Sequence, residues 1–132
     1  MPRIKVIFFL AADSFDIEEV TKIMKIQPMR TRKKKDWPIG TINAGFASDI
    51  WEIRTEEEEC KAVRWQFEKI MRELFGRTKT INDLRRELNL KTGFVVVIKA
   101  KVGDFPEMVL TQEIISFAAS INADIGFDMY ID

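Results

Sequence analysis

Five cations between two prolines are the residues of this chain best suited to binding chemistry. They follow Pro28 and precede Trp37 and Pro38; they are Arg30, Arg32, Lys33, Lys34 and Lys35. Guanidinium and ammonium groups hold phosphate or carboxylate, and a tryptophan ring offers a face on which a cation or a base stacks. The segment therefore predicts a loop that binds an anion or a partner. The simpler interpretation, which we favour, is a solvated connector with repelling like charges.

Two residues near the end of the sequence add acid–base chemistry to this loop. Asp128 and Tyr130 alternate along the last predicted strand, and carboxyl and phenol groups act as general acids and bases within hydrogen-bond reach of a substrate. This interpretation requires the basic loop to fold over an exposed sheet face that also bears Lys99 and Lys101. It predicts an enzyme or a sensor for a small anion.

The absence of histidine excludes the most familiar catalytic arrangements. Without histidine there is no Ser-His-Asp or Cys-His machinery and no imidazole ligand for a metal. The single cysteine, Cys60, excludes thiolate zinc and iron–sulfur sites and suits a reducing compartment. The glycines match no phosphate-binding or dinucleotide-binding fingerprint. We therefore predict no catalytic residues, no metal and no cofactor.

Four consecutive glutamates, residues 56–59, form the carboxylate cluster that most resembles a metal site. Neighbouring positions of a helix point in different directions, so four glutamates in a row do not converge on one ion. Thr55 followed by Glu58 also forms a capping box, and negative charge is stabilising at a helix N-terminus. We therefore predict that a long helix begins here and ends near Gly76.

The charge of the chain is balanced, with 21 basic and 21 acidic residues. No global field steers the protein to nucleic acid or to an anionic membrane, so electrostatic binding has to be local. Nucleic-acid binding through the basic loop remains a third alternative, which the balanced charge disfavours. No stretch reaches the length of a membrane span, and together with the single cysteine this favours a cytoplasmic protein.

Two strands form the predicted centre of the structure. Residues 93–102 are apolar in their first half and alternate with lysine in the second, and residues 4–12 show the reverse order. Parallel pairing sets Lys5 beside Val95, whereas antiparallel pairing brings the polar ends together and the apolar ends together. The pattern therefore predicts antiparallel pairing.

Local signals place the remaining elements. Predicted helix caps precede amphipathic or polar helices at Asp16, Thr80 and Thr111. The other predicted elements are a strand over 46–55, a turn-rich patch with a short strand over Gly40–Gly45 and a short helix over 81–90. The closing segment, 124–132, alternates as a half-exposed strand whose inward side chains are Ile125, Phe127, Met129 and Ile131.

These elements form two similar units. A strand–helix–strand unit over 4–55 and a second one over 93–131 flank a helical insert over 56–90. Two such units with antiparallel central strands predict one α+β domain over residues 1–132. The predicted arrangement is a ferredoxin-like sandwich with a mainly antiparallel sheet.

One tryptophan lies on the predicted outer side of the long helix. Trp65 is opposite the apolar stripe of that helix, and Lys69 and Arg72 are its neighbours at helical spacing. An exposed tryptophan packed among long charged side chains resembles an interface anchor with a polar rim. We predict contact with another protein or with a second copy, through Trp65 or through an edge of the sheet, and favour a homodimer. The alternative is that a loop covers Trp65.

Three short motifs resemble a family of small bacterial proteins known as domain of unknown function 4279. The motifs are the segment Asp16–Pro28, the strand Trp51-Glu52-Ile53 and the closing Phe127-Asp128-Met129-Tyr130. The resemblance covers the whole chain and implies a bacterial, cytoplasmic α+β domain without established catalytic residues. In the family the segment after the proline is typically less basic and contains glycine, so the run Arg30–Lys35 departs from that pattern.

The sequence as a whole predicts a non-enzymatic binding or protein-interaction domain. This prediction depends on the missing histidines, the missing nucleotide-binding loops and the absence of a convergent acid–base set. The alternative is an enzyme or sensor that binds phosphate or carboxylate through residues 30–35.

Overall fold

A mostly antiparallel sheet packed against helices forms the protein, which confirms the predicted α+β class. The computed structural model describes all residues, 1–132. The strands are β1 (Arg3–Ala12), β2 (Arg30–Arg32), β3 (Asp49–Arg54), β4 (Glu58–Glu59), β5 (Lys91–Ala100) and β6 (Ala123–Ile131). The helices are α1 (Ile17–Met24), α2 (Ile39–Asn43), α3 (Val63–Glu73), α4 (Thr78–Leu88) and α5 (Gln112–Ser120), with one 3₁₀ turn over Lys34–Asp36.

The two central strands pair as the sequence predicts. β1 and β5 are antiparallel neighbours, and their register runs from Arg3 opposite Lys99 to Ala11 opposite Lys91. Lys5 lies opposite Val97, so the charged end of β1 meets the end of β5 where lysines alternate with apolar residues. The two apolar halves therefore meet in the middle of the sheet, where both strands are flanked by others.

The strands of the two predicted units pair differently from one another. The sheet order is β2-β3-β1-β5-β6, in which β1 and β3 are antiparallel, whereas β5 and β6 are parallel and joined by α5. β2 is parallel to β1, because both pair antiparallel with β3 between them. Likewise β3 and β5 are parallel with β1 between them. The ferredoxin-like arrangement of the predicted units is therefore not confirmed.

Alternation along the strands separates the core from an open face of the sheet. The even-numbered residues of β1 from Ile4 to Leu10 are buried, whereas the odd-numbered residues from Lys5 to Phe9 are half-exposed. We call the side of these odd-numbered residues the open face. In the core the ring centroid of Phe94 lies 5.2 Å from that of Phe8 and 4.8 Å from that of Phe67. This aromatic cluster joins both central strands to α3.

The predicted caps of two helices are confirmed. The carboxylate of Asp16 accepts the N–H of Glu19 at 3.1 Å at the start of α1. The hydroxyl of Thr111 accepts the N–H of Ile114 at 3.3 Å at the start of α5. Each bond satisfies an N–H group that has no partner inside the helix, which is why a local sequence signal locates these helix starts correctly.

The predicted capping box at Thr55 and Glu58 is wrong. Thr55 Oγ1 accepts the N–H of Val6 at 2.9 Å, and the backbone N–H of Thr55 donates to the carbonyl of Val6 at 2.9 Å. Glu58 and Glu59 form β4, which pairs antiparallel with the start of β1. These backbone partners on β1 keep residues 55–59 extended, so α3 begins only at Val63.

The helical segments between the strands also differ in part from the prediction. Residues 40–45 contain most of α2 and no strand, because Thr41 and Ile42 donate to the carbonyl of Pro38 in helical turns. α4 begins at Thr78 with Arg77 as its N-cap, so the predicted cap at Thr80 is wrong: Thr80 lies inside the first turn of the helix. The apolar stripe of α3 is confirmed, with its buried or partly buried members being Val63, Phe67, Ile70, Met71 and Leu74.

Replacing Phe67 by alanine is expected to destabilise the protein by about 3–5 kcal/mol, because a fully buried ring is lost and a cavity remains. The matched control is Phe75→Ala just after the same helix, where the side chain is 81% exposed and a change within about 0.5 kcal/mol is expected. Urea unfolding followed by circular dichroism measures both values. Equal losses in the two variants would contradict the burial of α3 against β5.

Candidate interaction site

The basic segment is ordered and forms one edge of the sheet. Arg30–Arg32 is β2, which pairs with β3, and Lys34 and Lys35 belong to the 3₁₀ turn that follows. The side chains of Arg30 and Arg32 lie on the open face, because these residues are opposite Glu52 and Ile50. The segment is therefore an edge strand and a turn that continue the sheet outward from β3.

A buried carboxylate on β3 holds this segment in place. Asp49 is 5% exposed, and its Oδ1 accepts the backbone N–H of Lys34 at 2.6 Å. Its Oδ2 accepts the backbone N–H of Phe15 at 3.2 Å and lies 3.6 Å from the Lys33 ammonium. The Lys34 side chain also pairs with Asp13. Two of the five predicted binding cations are thus already neutralised by carboxylates of the same chain.

Trp37 is occupied by an arginine of its own segment. The guanidinium carbon of Arg32 lies 4.1 Å from the centre of the Trp37 ring, and the indole N–H donates to the carbonyl of Ser48 at 2.8 Å. This cation–π contact uses a ring face that the sequence suggested for an external ligand. An open cavity of about 620 Å³ at the basic segment is lined in part by Ser14, Lys35 and Asp49.

The structure does not bring the basic segment together with Asp128 and Tyr130. β2 and β6 are the outermost strands of the sheet and three strands separate them. At a spacing of about 4.8 Å per strand the two edges are about 19 Å apart. Of the predicted neighbours, Lys99 does share the open face with Tyr130, which is its partner in the register of β5 and β6. Lys101 lies just beyond β5.

Tyr130 and Asp128 form a pair on β6. The Tyr130 hydroxyl donates to Asp128 Oδ2 at 2.9 Å. This hydrogen bond and the negative charge of Asp128 raise the pKa of Tyr130 above its usual value of 10.0, because both favour the neutral phenol. The pair is a surface contact between two alternate residues of one strand, and Lys99 of β5 is its neighbour in the register of the sheet.

Glu57 neutralises the charged end of the central strands. Its carboxylate lies 2.9 Å from the Lys99 ammonium and 3.3 Å from the Arg3 guanidinium. The hydrogen bond from Lys99 lowers the pKa of Glu57 below 4.5, with Arg3 acting in the same direction. The glutamate run therefore supplies a counter-ion to β1 and β5. No group of three or more residues is placed to hold a metal ion.

Trp65 is exposed, as predicted, and its two predicted neighbours line different concave regions. The side chain is 48% exposed and borders a cavity of about 430 Å³ that Lys69 and Cys60 also line. Lys69 is paired with Glu58 at 2.8 Å. Arg72 instead lines a separate apolar groove of about 730 Å³ with Phe75. The surface of α3 thus borders two concave regions, one beside Trp65 and one beside Arg72.

The sequence analysis did not identify which strand forms the free edge of the sheet, and the structure shows that it is β6. The register places Ile125, Phe127, Met129 and Ile131 on the helix side of the sheet, but only Ile125 is partly buried, and Phe127, Met129 and Ile131 are 42%, 38% and 49% exposed. The predicted alternation in burial is therefore wrong beyond Gly126, because β6 is the outermost strand and has a neighbouring strand on one side only. A long edge strand with exposed apolar side chains is a template for pairing with another chain.

The hydrogen bonds of Asp132, the residue after β6, show to which side the backbone groups of β6 point. Asp132 donates its N–H to the carbonyl of Ala100 at 3.1 Å and accepts the N–H of Val102 at 3.3 Å. Since N–H and C=O groups of successive strand residues point to opposite sides, Asp128 and Tyr130 also face β5. The N–H and C=O groups of Phe127 and Met129 therefore point outward, toward the empty side of the sheet.

The last part of the chain, which includes this edge strand, is acidic, whereas the adjoining strand β5 carries Lys91 and Lys99. Residues 102–132 contain six acidic residues and no lysine or arginine, which leaves 21 basic and 15 acidic residues in 1–101. Three of the six, Asp124, Asp128 and Asp132, share the open side of β6 and its end. The net charge of the whole chain does not show this asymmetry, whereas the net charge counted segment by segment does.

Comparisons with known proteins establish the family of the chain. The family described as "Domain of unknown function (DUF4279)" matches residues 2–132, so the chain belongs to this family. A search of curated proteins and a search of solved structures each gave no match. Within the structure itself, none of the helices has the length and apolar character needed to cross a membrane.

Replacing Asp49 by alanine is expected to destabilise the protein by about 1–3 kcal/mol, because the buried N–H groups of Phe15 and Lys34 lose their acceptor. The basic segment should also become more sensitive to limited trypsin digestion. Asp36→Ala is the matched control, since Asp36 is an exposed aspartate of the same segment. Urea unfolding and the trypsin cleavage rate measure the two effects, and equal behaviour of both variants would contradict an anchoring role for Asp49.

The ionisation of Tyr130 can be followed directly, because Tyr130 is the one tyrosine of the chain. Absorbance at the tyrosinate band is expected to titrate with a midpoint above 10.0, and Asp128→Ala should lower that midpoint. The pKa is higher in the folded than in the unfolded chain, so this contact stabilises the protein below pH 10. Its contribution is lost as the pH rises through the raised pKa. An identical midpoint in wild type and variant would contradict the pair.

Proposed function

We propose that this protein is a non-enzymatic binding domain that takes up an extended segment of a partner along the free edge of β6. The observation that carries the proposal is the uncovered outer side of β6, where three apolar side chains are 38–49% exposed. Edge strands of this kind bind partners by adding a strand, with backbone hydrogen bonds for affinity and alternate side chains for specificity. A bacterial, cytoplasmic location is the setting in which we expect this binding.

The β6 edge lies outside the core that the earlier strands of the sheet form. We infer that β1, β2, β3 and β5, with their two interleaved split crossovers, form a ferredoxin-like core. The unit α5–β6 is then an addition that continues the sheet beyond β5 by one parallel strand. The added strand β6 replaces β5 as the edge of the sheet. The new edge therefore carries the aspartates and apolar side chains of β6 instead of the residues of β5.

The alternative, a small-anion enzyme or sensor at residues 30–35, has less support. Lys33 and Lys34 contact Asp49 and Asp13, and Arg32 stacks on Trp37. Asp128 and Tyr130, the predicted acid–base pair, lie on the opposite edge of the sheet. An anion at the basic segment would therefore compete with existing carboxylates and would meet no general acid or base of this pair.

Self-association is the second form that this binding can take. The homodimer predicted through Trp65 remains a proposal, and the sheet edge is the other surface that we proposed for it. Trp65 offers one exposed ring, whereas β6 offers unpaired backbone groups and three apolar side chains along nine residues. We therefore place the principal interface, to a partner or to a second copy, at β6.

The variant Met129→Pro tests the proposed edge. Proline removes the outward N–H of residue 129 and leaves the bonds of β6 to β5 intact, so the fold should persist, as for proline on other edge strands. We expect binding to weaken by roughly tenfold, because one intermolecular backbone hydrogen bond is lost and the ring obstructs the added strand. Affinity purification from the native cell and sedimentation of the purified protein measure partner binding and self-association.

Two control variants make the result specific. Met129→Val keeps the N–H group and the preference for extended backbone, and it should retain the partner. Trp65→Ala should also retain it, because Trp65 lies on α3 and away from the sheet edge. A partner or dimer that survives Met129→Pro and disappears with Trp65→Ala would move the interface to α3. Turnover of a metabolite by a protein that captures nothing would favour the anion alternative.

A further inference from the structure

We propose that the segment bound by β6 is a strand of another protein in which lysine or arginine alternates with apolar residues. This inference rests on the proposed binding function of β6 and specifies the chemistry of its partner. An added strand continues the pleat of the sheet, so its successive side chains fall alternately on the open face and on the helix-covered face. The two faces of β6 differ in chemistry, and together they define what each alternate residue of the partner meets.

The open face of the edge is acidic. Asp124, Asp128 and Asp132 recur at every fourth residue there, and Gly126 between the first two leaves space beside the backbone. Asp124 lies 3.8 Å from the Lys91 ammonium, a distance at which the pair is loose. Asp128 accepts the hydroxyl of Tyr130, and Asp132 is exposed. Cations at alternate positions of an added strand would lie directly or diagonally opposite these carboxylates, where opposite charges stabilise cross-strand pairs.

The helix-covered face of the edge is apolar. Phe127, Met129 and Ile131 are register partners of Val96, Ile98 and Ala100, whose side chains are buried. Apolar side chains thus continue from the buried residues of β5 to their partners on β6, which are exposed. An apolar residue of the partner on this face would bury that surface, whereas a charged residue would lose hydration without gaining a counter-ion.

A second copy of the chain is a poorer occupant than a basic strand. Antiparallel pairing of two β6 strands brings two sets of aspartates onto the same face, where like charges destabilise the pairing. The β2 edge of another copy does carry Arg30 and Arg32 on its open face, but β2 has only three residues. A three-residue strand covers a third of the nine residues of β6 and leaves most of the apolar row uncovered.

The test uses two capped nine-residue peptides, one alternating lysine with valine and one alternating glutamate with valine. We expect the lysine peptide to bind at least tenfold more tightly to the full chain at low salt. Two-dimensional nuclear magnetic resonance of the ¹⁵N-labelled protein should show shifts along β6 and slower solvent exchange of the Phe127 and Met129 amides. Replacing Asp124, Asp128 and Asp132 by lysine should invert the preference; Asp128→Lys alone, a milder change, should reduce it at least threefold.

A matched variant separates local recognition from net charge. Glu18, Glu73 and Glu87 are exposed and lie outside β6, so their replacement by lysine changes the net charge equally and should leave the preference intact. The proposal is overturned if this control also inverts the preference, if both peptides bind equally, or if neither binds. It is also overturned if the chain forms oligomers that Arg30→Glu abolishes. After any of these outcomes, the Met129→Pro experiment can still show that a different kind of partner binds at β6.

Discussion

Antiparallel pairing of β1 with β5 is the constraint on which the rest of the structure depends. It joins residues that are eighty or more positions apart in the sequence, in a register from Arg3–Lys99 to Ala11–Lys91. Because side chains alternate along a strand, this register alone decides that Phe8 and Phe94 share the core, where Phe67 packs against them. A shift by one residue would carry the whole apolar set of β1 to the open face.

The same pairing explains how the glutamate run is used. It concentrates Arg3, Lys5 and Lys99 at one end of the two central strands, and like charges on adjacent strands repel. Glu57 lies between two of these cations, and the following residues continue as β4 along β1. A segment that reads locally as a helix start is thus held extended by charges that the central pairing has brought together.

This contrast shows what the sequence can predict here and what it cannot. The central pairing and the caps at Asp16 and Thr111 were predictable, because alternation and capping are encoded within a few neighbouring residues. The extended state of residues 56–59 was not, since it depends on cations about forty or more positions away. Of the candidate site, the exposure of Trp65 was predictable from helical phase, whereas the anchoring of the basic segment by Asp49 was not.

The two edges of the sheet handle their unpaired backbone in different ways. The β2 edge is short, and cations on it and beside it are held by carboxylates and by Trp37, so its charge is largely satisfied within the chain. The β6 edge is three times as long. Its aspartates disfavour nonspecific pairing with other extended chains, as charges on natural edge strands do. Such charges discriminate between partners by sign, because a segment of the same sign is repelled and one of opposite sign is attracted. The charges that protect an edge strand from nonspecific pairing are therefore also a basis for selective binding.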